Sequence, residues 1–195
     1  FLPPLTLLVL AALPACAMHS LRAVPLGATV DLPLDDGPHD DAQTEWWHVH
    51  AELRDVQTGE ELRLFTGFVV ERTDLDRVLF VPVPLGVNPF HAAYVRLATQ
   101  TKAWVADREN FPDFFTAGFG DEGLDVFHGD WRLRREAGAL LLNVSAGPAT
   151  ANLRLTPTRT PVRPGAQGRV EMPAGAAHLW VQEERMEVHG KWFEG

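Results

Sequence analysis

The sequence has a single cysteine, only two serines and no run of basic residues, and each shortage removes a class of function. With Cys16 alone, no internal disulfide can form. Ser20 and Ser145 lie outside any Gly-x-Ser-x-Gly turn, and Cys16 sits in an apolar leader. Hydrolysis by a Ser-His-Asp or Cys-His arrangement therefore has no support. No glycine-rich phosphate loop or dinucleotide fingerprint occurs either. A net charge of −9, without clustered Lys or Arg, excludes nucleic acid as a partner. Also missing is the 3.6-residue period of any helix of ordinary length. What remains is a 195-residue chain, 46% hydrophobic and 22% charged. That is an ordinary globular composition, long enough to bury a real core as one domain. The acidic excess reads as a solubility feature of the surface.

The N-terminus departs from this pattern. Leu2 to Leu13 is almost wholly apolar, too short to span a bilayer, and ends at Leu13-Pro14-Ala15-Cys16. Leu-x-Ala-Cys has the form of a bacterial lipobox, in which the cysteine is lipidated. Residues 1–16 are accordingly expected to be a signal segment with Cys16 as the lipidation site. The plain alternative is a signal peptide with an incidental cysteine, or an apolar leader that is not cleaved. Residues 17–34, punctuated by Pro and Gly, form a tether, and residues 35–195 form the folded domain. The expected location is the bacterial cell envelope, lipid-anchored on the periplasmic side, or secreted, with the membrane as partner through Cys16.

Strands dominate after the turn Asp35-Asp36-Gly37-Pro38. The pattern predicts strands at Glu45–Leu53, Glu60–Glu71, Val78–Val83 and Phe90–Thr99. Trp104 to Phe119 reads as a lid or short helix over a barrel end. Trp131–Arg135, Ala139–Ala146 and Ala149–Thr156 form a meander with one buried face, for Leu140, Leu142 and Val144 alternate against Leu141, Asn143 and Ser145. His178–His189 is predicted as the last long strand. Many short strands with regular turns mean a β-sandwich or a barrel, and the pattern does not separate the two.

Chemistry concentrates in Asp36-Gly37-Pro38-His39 and Glu45-Trp46-Trp47-His48-Val49-His50. On a strand, Glu45, Trp47 and Val49 share one face, while Trp46, His48 and His50 share the other. One tryptophan ring must face inward; the other plugs an end or meets a second layer. His48-x-His50 with His39 could in principle hold zinc. Hydrogen-bonded or partly exposed histidines are the preferred reading, so neither a metal nor a cofactor is expected. Acid chemistry on an apolar substrate remains. A carboxylic acid desolvated beside tryptophans, or a histidine, can deliver a proton, and aromatic faces stabilise a cation. Glu45, His39 and His48 are the candidate proton carriers, with Trp46, Trp47 and His50 as ligand-binding residues. Packing by the tryptophans, and an ion pair between Glu45 and an arginine such as Arg132 or Arg185, is the structural alternative.

Asp-x-Gly-x-His followed by Glu-Trp-Trp at the head of a strand resembles the N-terminal signature of the carotenoid 1,2-hydratase (hydroxyneurosporene synthase) and AttH-type lipocalin-like proteins. Gly129-Asp130-Trp131 and the segment from His178 to Gly190 resemble later pieces of that pattern. The likeness covers roughly Pro33 to Gly195. The family pattern has Tyr at His48, and a small polar residue then Gly at His50 and Ala51. The resemblance implies an antiparallel β-barrel of the calycin (lipocalin-like) class, the first of two tandem halves whose pocket draws on both. It further implies a hydratase- or isomerase-type lyase acting on an isoprenoid or similar lipophile. The alternative function is non-catalytic lipophile binding by an envelope lipoprotein of the same fold.

Overall fold

A computed structural model describes residues 21–73, 77–78, 81–82, 89–109, 116–173 and 176–195. The period-two segments become antiparallel strands. The first of them are β1 (Thr44–Arg54), β2 (Glu61–Glu71), β3 (Arg77–Val78), β4 (Val81–Pro82), β5 (Phe90–Ala98), β6 (Ala103–Glu109) and β7 (Ala117–Phe119). There follow β8 (Asp125–His128), β9 (Trp131–Glu136), β10 (Ala139–Ala146), β11 (Ala149–Pro157), β12 (Arg169–Glu171), β13 (Ala177–Leu179) and β14 (Met186–Glu194). A four-stranded sheet runs β1-β2-β5-β6 and a six-stranded sheet runs β14-β11-β10-β9-β8-β7. Two short hairpins, β3-β4 and β12-β13, lie outside them.

The two large sheets face each other across one core. Leu62, Leu64, Phe68 and Val70 alternate inward on β2, as do Ala93, Val95 and Leu97 on β5. Leu142 and Val144 on β10 and Ala151 and Leu155 on β11 meet them from the other sheet. Burying each such Leu or Val is worth about 1.5–3 kcal/mol relative to leaving it in water. Trp131 is 1% exposed, and its indole N–H donates to Ser145 Oγ at 3.0 Å, so one of the two serines is a packing partner. From the N-terminal side, Val30 is buried and its N–H donates to the Gln167 carbonyl.

Four expectations are corrected. Among the described residues no ladder joins the four-stranded sheet to the six-stranded one, so the described strands form two facing antiparallel sheets and not a closed barrel. Trp104 to Glu109 is strand β6 and Ala117–Phe119 is β7, not a lid or short helix; residues 110–115 lie outside the described residues. His178–His189 is not one strand. The chain leaves β13 after Leu179, passes through Arg185 at φ 54°, and enters β14 only at Met186. Positive φ in a non-glycine residue breaks an extended run. Within the expected single strand Val78–Val83, the described residues form the antiparallel pair β3-β4; residues 79, 80 and 83 lie outside the described residues.

Candidate functional site

Alternation along β1 divides the residues singled out in the sequence between two environments. Glu45 and Trp47 point between the sheets; Trp46, His48 and His50 point away from them.

The inner group begins with the turn 36–39. A Cβ added to Gly37 would lie 2.8 Å from the Gly123 carbonyl oxygen, so only glycine allows the turn to lie this close to the domain. That approach presents His39 to Glu45. The His39 backbone N–H reaches both Glu45 carboxylate oxygens, at 2.9 and 3.0 Å, and His39 Nδ1 lies 2.8 Å from Oε1. Arg72, the first residue after β2, donates from Nη1 to Glu45 Oε2 at 2.7 Å and to the Ala42 carbonyl at 3.2 Å. The two side chains of this ion pair are only 8% and 10% exposed. Glu45 therefore pairs with Arg72, and not with Arg132 or Arg185. Arg132 is held by Asp125 instead. Trp47 donates from its indole N–H to the Asp36 carbonyl at 2.9 Å, and its ring meets Phe119 edge-on at 6.0 Å. The Asp36 side chain pairs with Arg135 on β9, which also reaches Glu183 at 3.1 Å.

The titration behaviour follows from these contacts. The hydrogen bond to Glu45 raises the His39 pKa above its ordinary value. Burial opposes this, and the charges of Glu45 and Asp35 add to it. His39 Nε2 stands 3.6 Å from Asp35 Oδ1. His91, inward-facing on β5, is pushed down to about 4, chiefly by burial and then by His128 and Arg72. Its ring lies 5.3 Å from Phe119. His128 on β8 is 1% exposed. Sequence reasoning passed over Arg72, His91 and His128. The signal for His91 was available, because it holds the inward register of Ala93, Val95 and Leu97.

The outer group is separate. Trp46 meets a second layer, the β12-β13 hairpin, with its ring 5.0 Å from His178 and 6.4 Å from Trp180. His48 lies 6.5 Å from Phe65 and 6.4 Å from Trp180, and His50 lies 6.0 Å from Phe65. Burial and then His50 lower the His48 pKa. Gly67, opposite His48, leaves room for the Tyr94 ring, whose hydroxyl would lie 2.5 Å from an added Cβ. Hence Glu45, His39 and Trp47 come together, while His48, Trp46 and His50 do not join them. With His39 on the turn beside Glu45 and His48 and His50 on the outer face of β1, the three do not converge on a metal. Among the described residues, no group of three His, Cys, Asp or Glu could hold one. Cys16 lies outside the described residues. A cavity of about 460 Å³ opens at the other end of β1, lined by Asp55, Thr58, Lys102, Trp104 and Trp192, and holds none of these residues.

Facing antiparallel sheets, with an acid–histidine–arginine cluster at one end of an apolar core, define the architecture. The AttH-like family model matches residues 23–193, and the chain belongs to that family. A crystal structure from Nitrosomonas europaea, of a protein provisionally assigned as an AttH, is similar in fold. Its TM-score is 0.74 at 24% identity, over 89% of this chain and 52% of that one. The chain thus spans about half the length of that protein. No curated protein matches.

His39 and His91 should shift in opposite directions from the ordinary 6.5. His39, with its folded pKa raised, contributes stability fully present below 6.5 and lost as pH rises through its folded value. His91, depressed to about 4, stays neutral in the fold while the unfolded chain takes up a proton, so stability falls as pH drops from 6.5 towards 4. NMR titration of the imidazole protons is expected to find His39 titrating above 6.5 and His91 still neutral at about pH 5. A His91 midpoint near 6.5 would contradict its placement between the sheets.

Proposed function

We propose that the chain supplies one wall of a pocket for hydratase- or isomerase-type lyase chemistry on an isoprenoid or similar lipophile, as in the carotenoid 1,2-hydratases it resembles. In this reading the two sheets are walls of a calycin-type barrel. The observation that carries the reading is the His39–Glu45–Arg72 cluster, a hydrogen-bonded ionisable group at the end of a large apolar core. Hydration of a C=C bond needs a proton for one alkene carbon and a water molecule for the other. His39, biased towards its protonated form by Glu45, is the proton carrier. Its N–H bond breaks as the π electron pair forms the new C–H bond. Water then bonds to the tertiary cation, and the proton it sheds returns to His39. Trp47 and Phe119 offer ring faces to that cation. Glu45 is a positioning residue, since both its oxygens already accept N–H donors.

The same engagement of Glu45 favours a second reading, non-catalytic binding of a lipophile by an envelope protein. Placement of Trp46, His48 and His50 away from Glu45 points the same way. In either reading the protein belongs to the bacterial cell envelope, held through a lipid on Cys16. One acyl chain binds a membrane only marginally, whereas a multiply acylated cysteine anchors it stably.

Incubation with an acyclic carotenoid, followed by mass spectrometry, tests the enzyme reading. A product heavier by one water, lost in His39→Gln and strongly reduced in Glu45→Gln, is the expected result. Retention of the unchanged carotenoid under all conditions leaves the carrier. Labelling with a radioactive fatty acid tests the anchor: the label is expected on the parent, and its persistence in Cys16→Ser would rule the anchor out.

A further inference from the structure

Arg72 has more donors than the interior gives it partners. The residue is 7% exposed, and Nη1 alone serves Glu45 and the Ala42 carbonyl. Nη2 is buried and has no hydrogen-bond partner among the described residues. A charged donor kept dry and unpaired is costly, more so than a neutral one. The unused donor leaves a place for an acceptor that arrives from outside. The surroundings say what kind. Arg72 shares its one carboxylate, Glu45, with His39. Asp35 is the other acid facing His39, and it stands on the more exposed side, its side chain 30% exposed. The Phe119 ring lies 5.7 Å from the guanidinium carbon. Phe119 belongs to β7, a three-residue edge strand with only β8 beside it. It is the wall that can yield.

We infer that Arg72 Nη2 anchors the ionised carboxylate of an acid-ended lipophile, with the apolar tail running along Phe119 and Trp47. This rests on the reading of the interior as a lipophile pocket and narrows its ligand from a hydrocarbon to a long-chain or polyene acid. A guanidinium is a planar fork matched to a carboxylate. An uncharged oxygen would satisfy the hydrogen bond but leave the guanidinium to share Glu45 with His39. A carboxylate does both.

The probe is cis-parinaric acid, a fluorescent polyene acid, compared with its methyl ester on the same protein. Replacing the charged acceptor by an ester forfeits a charge-assisted hydrogen bond, worth about ten- to a hundredfold in affinity. The acid is expected to bind tighter than the ester by that factor. Arg72→Gln is expected to abolish the preference, and Arg72→Lys, which keeps a cation beside Glu45, to weaken it. Should Arg72→Gln fail to fold, the acid–ester comparison on the parent and on Arg72→Lys still decides. Equal binding of acid and ester overturns the inference and leaves the lipophile pocket standing. A preference that survives both substitutions overturns it too, since the anchor then lies elsewhere. Binding of neither probe overturns the inference. If an acyclic carotenoid also fails to bind, the pocket reading falls with it.

Discussion

Arg72 and Glu45 form an ion pair almost entirely withdrawn from water, and the surrounding architecture is arranged to make that tolerable. Two desolvated charges cost several kcal/mol each unless their remaining hydrogen-bonding capacity is met. Glu45 meets this condition with the backbone N–H and ring of His39, which commits the turn 36–39 to the head of β1. Arg72 is fixed by its own backbone N–H, which donates to the Gln43 carbonyl. From that turn Asp36 reaches Arg135 on β9, and Arg135 reaches Glu183. A relay of ion pairs thus ties the N-terminal turn to both sheets. Gly37 is what allows the turn to lie close enough.

The second constraint is the two-residue period of β1. It sends Glu45 and Trp47 into the space between the sheets and Trp46, His48 and His50 to the other face, where the β12-β13 hairpin covers Trp46. Chemistry that looks continuous along the sequence is therefore split by the thickness of a sheet. His39 approaches Glu45 from the turn before β1, whereas His48 lies on the opposite face of the strand. The partners gained instead come from elsewhere in the chain: Arg72, His91, His128 and Phe119.

Much of this was legible in the sequence. The faces of β1 followed from alternation alone, and the meander β9-β10-β11 from the Leu and Val period. The family was legible from Asp-x-Gly-x-His and Glu-Trp-Trp. The rest was hidden for physical reasons. Arg72 looks like one more charge at a strand end, and only the three-dimensional register reveals that it turns inward beside Glu45. His128 sits in a four-residue strand too short to show a period. Trp104 to Glu109 alternates with small and charged residues, so strand β6 looked irregular. The break at Arg185 depends on one backbone dihedral that composition does not announce. Barrel closure is a property of ladders between distant edges, and no local pattern encodes it.

Glu45 acts as a clamped acceptor for Arg72 and His39, and not as an isolated buried acid. A double-mutant cycle on Glu45→Gln and Arg72→Met, read by urea denaturation at pH 7, tests it most directly. Removing one member of a buried pair strands the other, so each single variant should lose about 3–5 kcal/mol. The double variant should lose far less than their sum. Losses that add to within about 0.5 kcal/mol would mean that the two side chains act independently, and would contradict the account.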